Sequence, residues 1–336
     1  MTRTVRFSKN TANIFFHILT QCNLRCRHCY INPQQHGTER LDSATMQAWL
    51  RIMARRAPGA NLVLLGGEPT LHPDLPDAVR SARSLGYNSI TIDTNGYLFH
   101  DILDRITPTE VDFISFSLDG ASAATNDPIR GAGSFAVCTQ GIRKAAAKGF
   151  ATSLIYTVSR INLSELQAVP AMLARLPVDH LFIQVIGLRG QSATCKADPL
   201  LPLQVSRQQW QDHVLPVARQ VARQGIRVTY PKVYLDMDEP FECAGRVADN
   251  YFIFPNGRVY RCPLCEDYPI HSLLIDQTQL TEAAPINEAD LFLLDIAEGC
   301  VMNKLVQPQN LAYLPNGRPA YKIACCLLKE ELQPEL

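Results

Sequence analysis

The sequence predicts an α/β fold: a sheet of parallel strands with helices outside, followed by a small cysteine-rich C-terminal region. Three observations predict it. A strand-then-helix rhythm repeats from residue 14 to about residue 230, and it stops after Pro231. The eleven cysteines are unevenly spread, with three in residues 22–29, six in residues 243–326, and only Cys138 and Cys195 between. The strand-like runs are 14–19, 62–65, 89–92, 113–117, 152–158 and 181–186. Each is short, apolar and rich in β-branched or aromatic residues, as strands buried on both faces require. Amphipathic segments lie between them at 43–56, 75–85, 100–105, 134–148 and 163–175. Ser43 reads as an N-cap, and Gly86 and Gly149 follow two helix ends. Six such units in series give a parallel sheet, arranged as an open barrel or a doubly wound fold. A longer helical segment, 206–224, follows. Runs 251–254 and 258–261 flank Pro255-Asn256-Gly257 and read as a β-hairpin. The remaining chain to Leu336 is loop-rich, with too little periodic structure for a second large core.

The chain has 336 residues, which fits one large domain or two ordinary ones. It is 46% hydrophobic, enough for a substantial core. Lys+Arg (32) equals Asp+Glu (32), which argues against bulk electrostatic capture of nucleic acid or an anionic membrane. No apolar run approaches a bilayer span, and residues 1–10 are polar and basic rather than a signal peptide. The expected address is cytoplasmic. An odd, clustered cysteine set in a long chain of that kind reads as metal or iron–sulfur ligation rather than a disulfide scaffold.

The first cysteine cluster is Cys22-Asn-Leu-Arg-Cys26-Arg-His-Cys29, directly after the first strand. Loops at the C-terminal ends of parallel strands form the active face of such sheets. Three thiolates in one loop hold three irons of a 4Fe–4S cube and leave the fourth iron open as a chemical site. Zinc is the competing reading, though zinc sites favour paired CxxC spacings from two places. His28 lies inside the motif, but three thiolates already fill the set, so it reads as a supporting or surface residue.

These residues carry a resemblance. Cys22, Cys26 and Cys29, with Tyr30 after the last, resemble the motif of the radical S-adenosylmethionine (SAM) superfamily. Leu65-Gly66-Gly67-Glu68-Pro69 is similar to that family's GGEP segment. Thr94-Asn95-Gly96, Ser117-Leu118-Asp119-Gly120 and Ile129-Arg130-Gly131 follow in the matching order. The resemblance implies a partial (β/α)6 barrel over residues 12–230, holding a 4Fe–4S cluster and SAM. It also implies the chemistry: reductive cleavage of SAM to a 5′-deoxyadenosyl radical, which takes a hydrogen from the substrate. Gly66 and Gly67 let backbone approach a ligand closely, and Glu68 adds negative charge near the SAM ammonium. Asn95, Ser117 and Gln184 are expected as polar contacts, and Arg130 as the partner of the methionine carboxylate.

Cys243, thirteen residues, Gly257, four residues and Cys262 resemble the opening of SPASM and twitch auxiliary-cluster domains. That resemblance implies that residues 231–336 are a C-terminal domain holding one auxiliary 4Fe–4S cluster. The further cysteine block of a full SPASM domain is absent. The expected ligands are Cys243, Cys262, Cys300 and one of Cys325 or Cys326, with Cys265 as rival through Cys262-Pro-Leu-Cys265. Zinc or unmodified thiols are the alternatives here. A cysteine outside the clusters, among Cys138, Cys195 and Cys265, is a candidate hydrogen-atom donor, although a small buried hydrophobe is the ordinary role.

The substrate is expected to be a ribosomal peptide or protein side chain. Small-molecule oxidation, epimerisation or decarboxylation (of an aminoglycoside, a sugar or a haem precursor) is the alternative. The expected partners are a flavodoxin- or ferredoxin-type electron donor and, because the cysteine motif begins so near the N-terminus, a separate leader-peptide-binding protein. A non-catalytic iron–sulfur protein for electron transfer or scaffolding is the alternative of another class. The open-iron loop followed by GGEP argues against it.

Overall fold

The structure, a computed structural model, describes residues 2–5, 11–194 and 203–334. Among the described residues one sheet of 13 strands runs through the molecule. Its centre is parallel: β2 (Asn13–His17), β3 (Asn61–Leu65), β4 (Ser89–Thr94), β5 (Phe113–Ser117), β6 (Thr152–Val158), β7 (His180–Val185) and β8 (Arg227–Pro231), paired in sequence order. All six predicted strands form, and β8 extends them as a further parallel strand. The first and last strands of this run do not pair with each other, so the sheet stays open. This is a mostly parallel α/β sheet of the partial-barrel kind.

The strands alternate along their length. Ile14, Phe16, Leu62, Leu64, Ile90 and Ile92 are buried against the helices. The intervening Phe15, Val63, Thr91 and Asp93 are only half-buried and face the other side. The fully buried side chains therefore serve one face, while the concave face mixes apolar Phe15 and Val63 with polar Thr91 and Asp93. Helix Ser43–Arg56 packs Trp49, Leu50 and Met53 into this core. Its cap is Asp42, which accepts from the Thr45 amide at 2.9 Å, so Ser43 is the first helical residue rather than the cap. Gly86 and Gly149 adopt positive φ, as expected past a helix end. The predicted helix 163–175 is a 3₁₀ segment, Leu163–Ala168, leading into Val169–Leu173. Pro170 restarts the winding there. Segment 206–224 opens with a Ser206–Gln209 capping box, passes through a π turn at Trp210–Val214 and ends as helix Leu215–Ala222.

The C-terminal segment adds strands to both edges of the sheet. The hairpin forms as β10 (Asn250–Ile253) and β11 (Arg258–Tyr260), with Gly257 at φ +82°. β10 also pairs in parallel with β2, and Phe252 stacks on Phe15 at 4.6 Å. Beyond β11 come β12 (Leu273–Ile275) and β13 (Leu280–Glu282). At the far edge β15 (Lys329–Leu332) pairs antiparallel with β8 and with β1 (Thr2–Val5). A second buried cluster around Phe252, Phe254, Tyr260, Leu264 and Cys300 sits under these additions. No described helix is long and apolar enough to cross a membrane.

Candidate active site

The cysteine loop leaves the C-terminal end of β2 and is bound to the turns after β3 and β4. The Gly67 amide donates to Leu19 O at 3.0 Å, and the Glu68 amide to Gln21 O at 2.9 Å. A Cβ on Gly66 would lie 2.4 Å from Leu19 O, and one on Gly67 2.1 Å from Gln21 O. These two glycines are the place where the loop bearing Cys22 meshes with the β3 turn, because only a residue without Cβ admits that approach.

Glu68 is fully buried, and its carboxylate accepts four hydrogen bonds. The donors are the Thr70 amide (3.1 Å), Thr70 Oγ1 (2.6 Å), Thr94 Oγ1 (2.8 Å) and the Asn95 amide (2.7 Å). Desolvation pushes its carboxyl above the usual range, and the Asn95 and Thr hydrogen bonds oppose this. Glu68 thus pins the end of β3 to the end of β4. Asn95, so held, donates through Nδ2 to Asn23 Oδ1 at 2.8 Å and lies 3.7 Å from Cys22 Sγ. Cys26 Sγ lies 3.7 Å from Arg130 O, and the Arg27 amide donates to Ile129 O at 2.9 Å. Burial pushes the Cys26 and Cys29 thiols up, with the Arg130 charge opposing at both.

Arg130 ends helix Ala123–Arg130, an element the sequence reading did not contain because Pro128 lies within it. Its Nε is 2.5 Å from Asp119 Oδ2, and His28 Nε2 reaches the same oxygen at 3.1 Å. Burial pushes the Asp119 carboxyl up, but Arg130 and His28 outweigh it and hold the group well below the usual carboxylate range. His28 is therefore a supporting residue, as expected. The chain context of Asp119, in Ser117-Leu-Asp-Gly, was visible, but its partners come from loops 91 and 11 residues away in sequence. Ser117 ends β5, half-buried, and Gln184 is exposed on β7, opposite in direction to buried Ile183. Asp93 was missed altogether: it lies beside Ser115 in register on β5, and among the described residues it has no ion-pair partner.

The C-terminal cysteines converge from four separate segments. Cys243, Cys262, Cys300, Cys325 and Cys326 line one apolar cavity, which Phe292 also walls. Burial and then the neighbouring Cys325, Cys262 and Cys243 push the Cys300 thiol well up, the mark of thiols crowded in low dielectric. Cys265 is fully buried beside Cys262 and does not line the cavity. Cys138 is buried behind the sheet, with Sγ 3.6 Å from Ser117 O, and packs where a Gly96 Cβ would lie. Both cysteines are buried, and Cys195 lies outside the described residues. Among the described residues, no three His, Cys, Asp or Glu side chains converge closely enough to hold a single metal ion.

Known proteins share these features. Residues 17–171 match the radical SAM superfamily. A probable GTP 3′,8-cyclase of Saccharolobus solfataricus is 26% identical over 288 residues, covering 82% of this chain and 91% of that protein. The mycofactocin maturase MftC of Mycobacterium ulcerans is 28% identical over 279 residues, covering 78% of this chain and 69% of that protein. Streptococcus suis SuiB bound to its precursor peptide SuiA superposes with a TM-score of 0.63 at 12% identity. That match covers 86% of this chain and 66% of the SuiB chain. With its cysteine loop, glycine turn and open parallel sheet assembled as described, the chain carries a radical SAM domain at residues 17–171 and is an enzyme related to radical SAM enzymes, a family whose cofactors are a 4Fe–4S cluster and SAM.

Proposed function

We propose that this enzyme takes a hydrogen atom from a peptide or protein side chain, as a maturase of ribosomal peptides does. The observation that carries the substrate class is the likeness of fold, over 86% of the chain, to a maturase seen with its precursor peptide. The related MftC supports the same class. When bound, the cluster and SAM supply the 5′-deoxyadenosyl radical. Cys22, Cys26 and Cys29 would hold three irons, and the donor set fits, since three thiols stand in one loop whose His28 is taken up by Asp119. Glu68 and Asn95 fix that loop. Gly66 and Gly67 allow its close seating, and the backbone they expose receives the SAM ammonium. Ser117 and Gln184, on the concave face, are the polar contacts to SAM. Arg130, held through Nε by Asp119, would pair with the methionine carboxylate of SAM.

Residues 231–336 serve as the auxiliary-cluster domain of a 12–230 barrel, with Cys243, Cys262, Cys300 and Cys325 as ligands of one 4Fe–4S cluster and Cys326 as the alternative to Cys325. Sulfurs around one zinc at about 2.3 Å would stand within about 4 Å of each other, whereas the thiols here line a cavity, as the wider cube needs. A flavodoxin- or ferredoxin-type protein delivers the electron. A small-molecule substrate is the second reading, favoured by the cyclase relative that matches this chain over 91% of its own length.

The test is anaerobic reconstitution followed by SAM and dithionite. 5′-Deoxyadenosine is expected, and its absence from cluster-loaded protein would overturn radical chemistry. Peptides encoded beside the gene should raise the yield and gain an altered mass. A response to nucleoside triphosphates alone would move the assignment to the second reading.

A further inference from the structure

The loops bearing the two cysteine sets are bonded together through the segment after β7. Gly190 presses on the Cys29 loop: at φ +56°, a Cβ there would lie 2.5 Å from Cys29 O. The Gln191 amide donates to Cys29 O at 2.8 Å. The Arg189 guanidinium lies over the Tyr30 ring, 4.7 Å from its centroid. On its other side Arg189 Nη1 donates to Glu266 Oε2 at 2.7 Å and to the carbonyl of Pro263, the residue after Cys262. Glu266 is 2% exposed. Asp267 completes the clamp, accepting from the Gly190 amide at 3.1 Å and from Asn32 Nδ2 at 2.9 Å. Tyr30 OH in turn meets His17 Nε2 at 2.8 Å, so the clamp reaches the end of β2. One guanidinium thus touches the neighbour of a cysteine in each set. A planar guanidinium can stack on the Tyr30 ring while its Nη1 donates both bonds, whereas a lysine ammonium has no plane to stack.

We propose that Arg189 is a positioning residue that locks the Cys262–Cys265 loop onto the Cys29 loop, so that the state of the C-terminal cysteine site is felt at the N-terminal cluster. This rests on the reading of both cysteine sets as cluster sites. Hydrogen bonds and charge around the sulfurs set a cluster's potential, and a shared clamp makes the two environments depend on each other.

The experiment is a double-mutant cycle on reconstituted full-length protein. Cys243→Ala with Cys300→Ala empties the C-terminal site without touching the clamp. Arg189→Met releases the clamp, and Arg189→Lys keeps the charge but not the fork. The readout is the midpoint potential and g-values of the N-terminal cluster by electron paramagnetic resonance, with iron counted and folding checked by thermal unfolding. Emptying the C-terminal site should shift the N-terminal midpoint in the parent, and by less than about half as much in the Arg189→Met background. Arg189→Lys should behave like Arg189→Met. An equal shift in both backgrounds, or none in either, overturns the proposal. Glu266→Gln provides the same comparison should Arg189→Met fail to fold. Iron that does not fall in the double-alanine protein instead overturns the auxiliary-cluster reading, and the iron count tells that failure apart.

Discussion

Asp93 sits where few carboxylates do, half-buried on a central strand with Ser115 as its neighbour and no cation beside it. Desolvation pushes its carboxyl from 3.8 up to about 7, with the Ser115 hydrogen bond opposing and Glu68 adding. The folded chain therefore keeps a proton that the unfolded chain releases. Its contribution to stability falls as pH rises from about 4 to about 7 and stays low above that. Asp93→Asn should remove this dependence, stabilising the protein at pH 8 relative to pH 5 by on the order of 2–3 kcal/mol after solvent screening. Equal melting shifts at both pH values would refute it. The neighbouring Glu68 gives a test of another kind. Glu68→Gln puts an amide NH₂ among four donors and should cost roughly 2–4 kcal/mol, with loss of iron from the N-terminal loop. Glu68 was legible in the sequence as part of a glycine-glycine-glutamate turn. That it is a pin between strands was not, because its partners Thr94 and Asn95 belong to the next unit. Asp93 was illegible because its meaning depends on which face of β4 is concave.

The glycine turn makes the cysteine loop and β3 one element. Gly67→Ala forces a Cβ within 2.1 Å of Gln21 O, a backbone atom with nowhere to retreat. It should lower the iron bound by the N-terminal loop, as should replacing Cys22, Cys26 and Cys29 together by Ala, which removes about four irons per chain. Iron analysis of each purified variant checks both, and unchanged iron content in the triple variant would contradict the ligand assignment. Element types were read well where an apolar period was long, as in Ser43–Arg56 and Ser134–Ala147. They were read poorly where proline sits inside a helix, as at Pro128, or where 3₁₀ and π turns interrupt one. Local hydrogen bonding and packing, not periodicity, settle those turns.

At the scale of the molecule, the C-terminal segment closes both edges of the parallel sheet, β10 against β2 and β15 against β8. Ending the chain at residue 230 would expose two strand edges and the Phe15 ring now stacked on Phe252. Such a truncation is expected to aggregate or melt well below the full chain, as measured by light scattering and thermal unfolding. A soluble, equally stable truncation would show that the barrel stands alone. By itself, the sequence determined the strand rhythm, the three-cysteine loop and the glycine turn, because each depends on residues close together in the chain, where period and spacing carry the information. Only the tertiary structure decided that Asp119 holds Arg130, that five distant cysteines share one cavity, and that Arg189 joins the two cysteine loops. These contacts bring together residues from 11 to more than a hundred positions apart, and chain-local patterns do not encode which distant side chains meet in a buried, low-dielectric place.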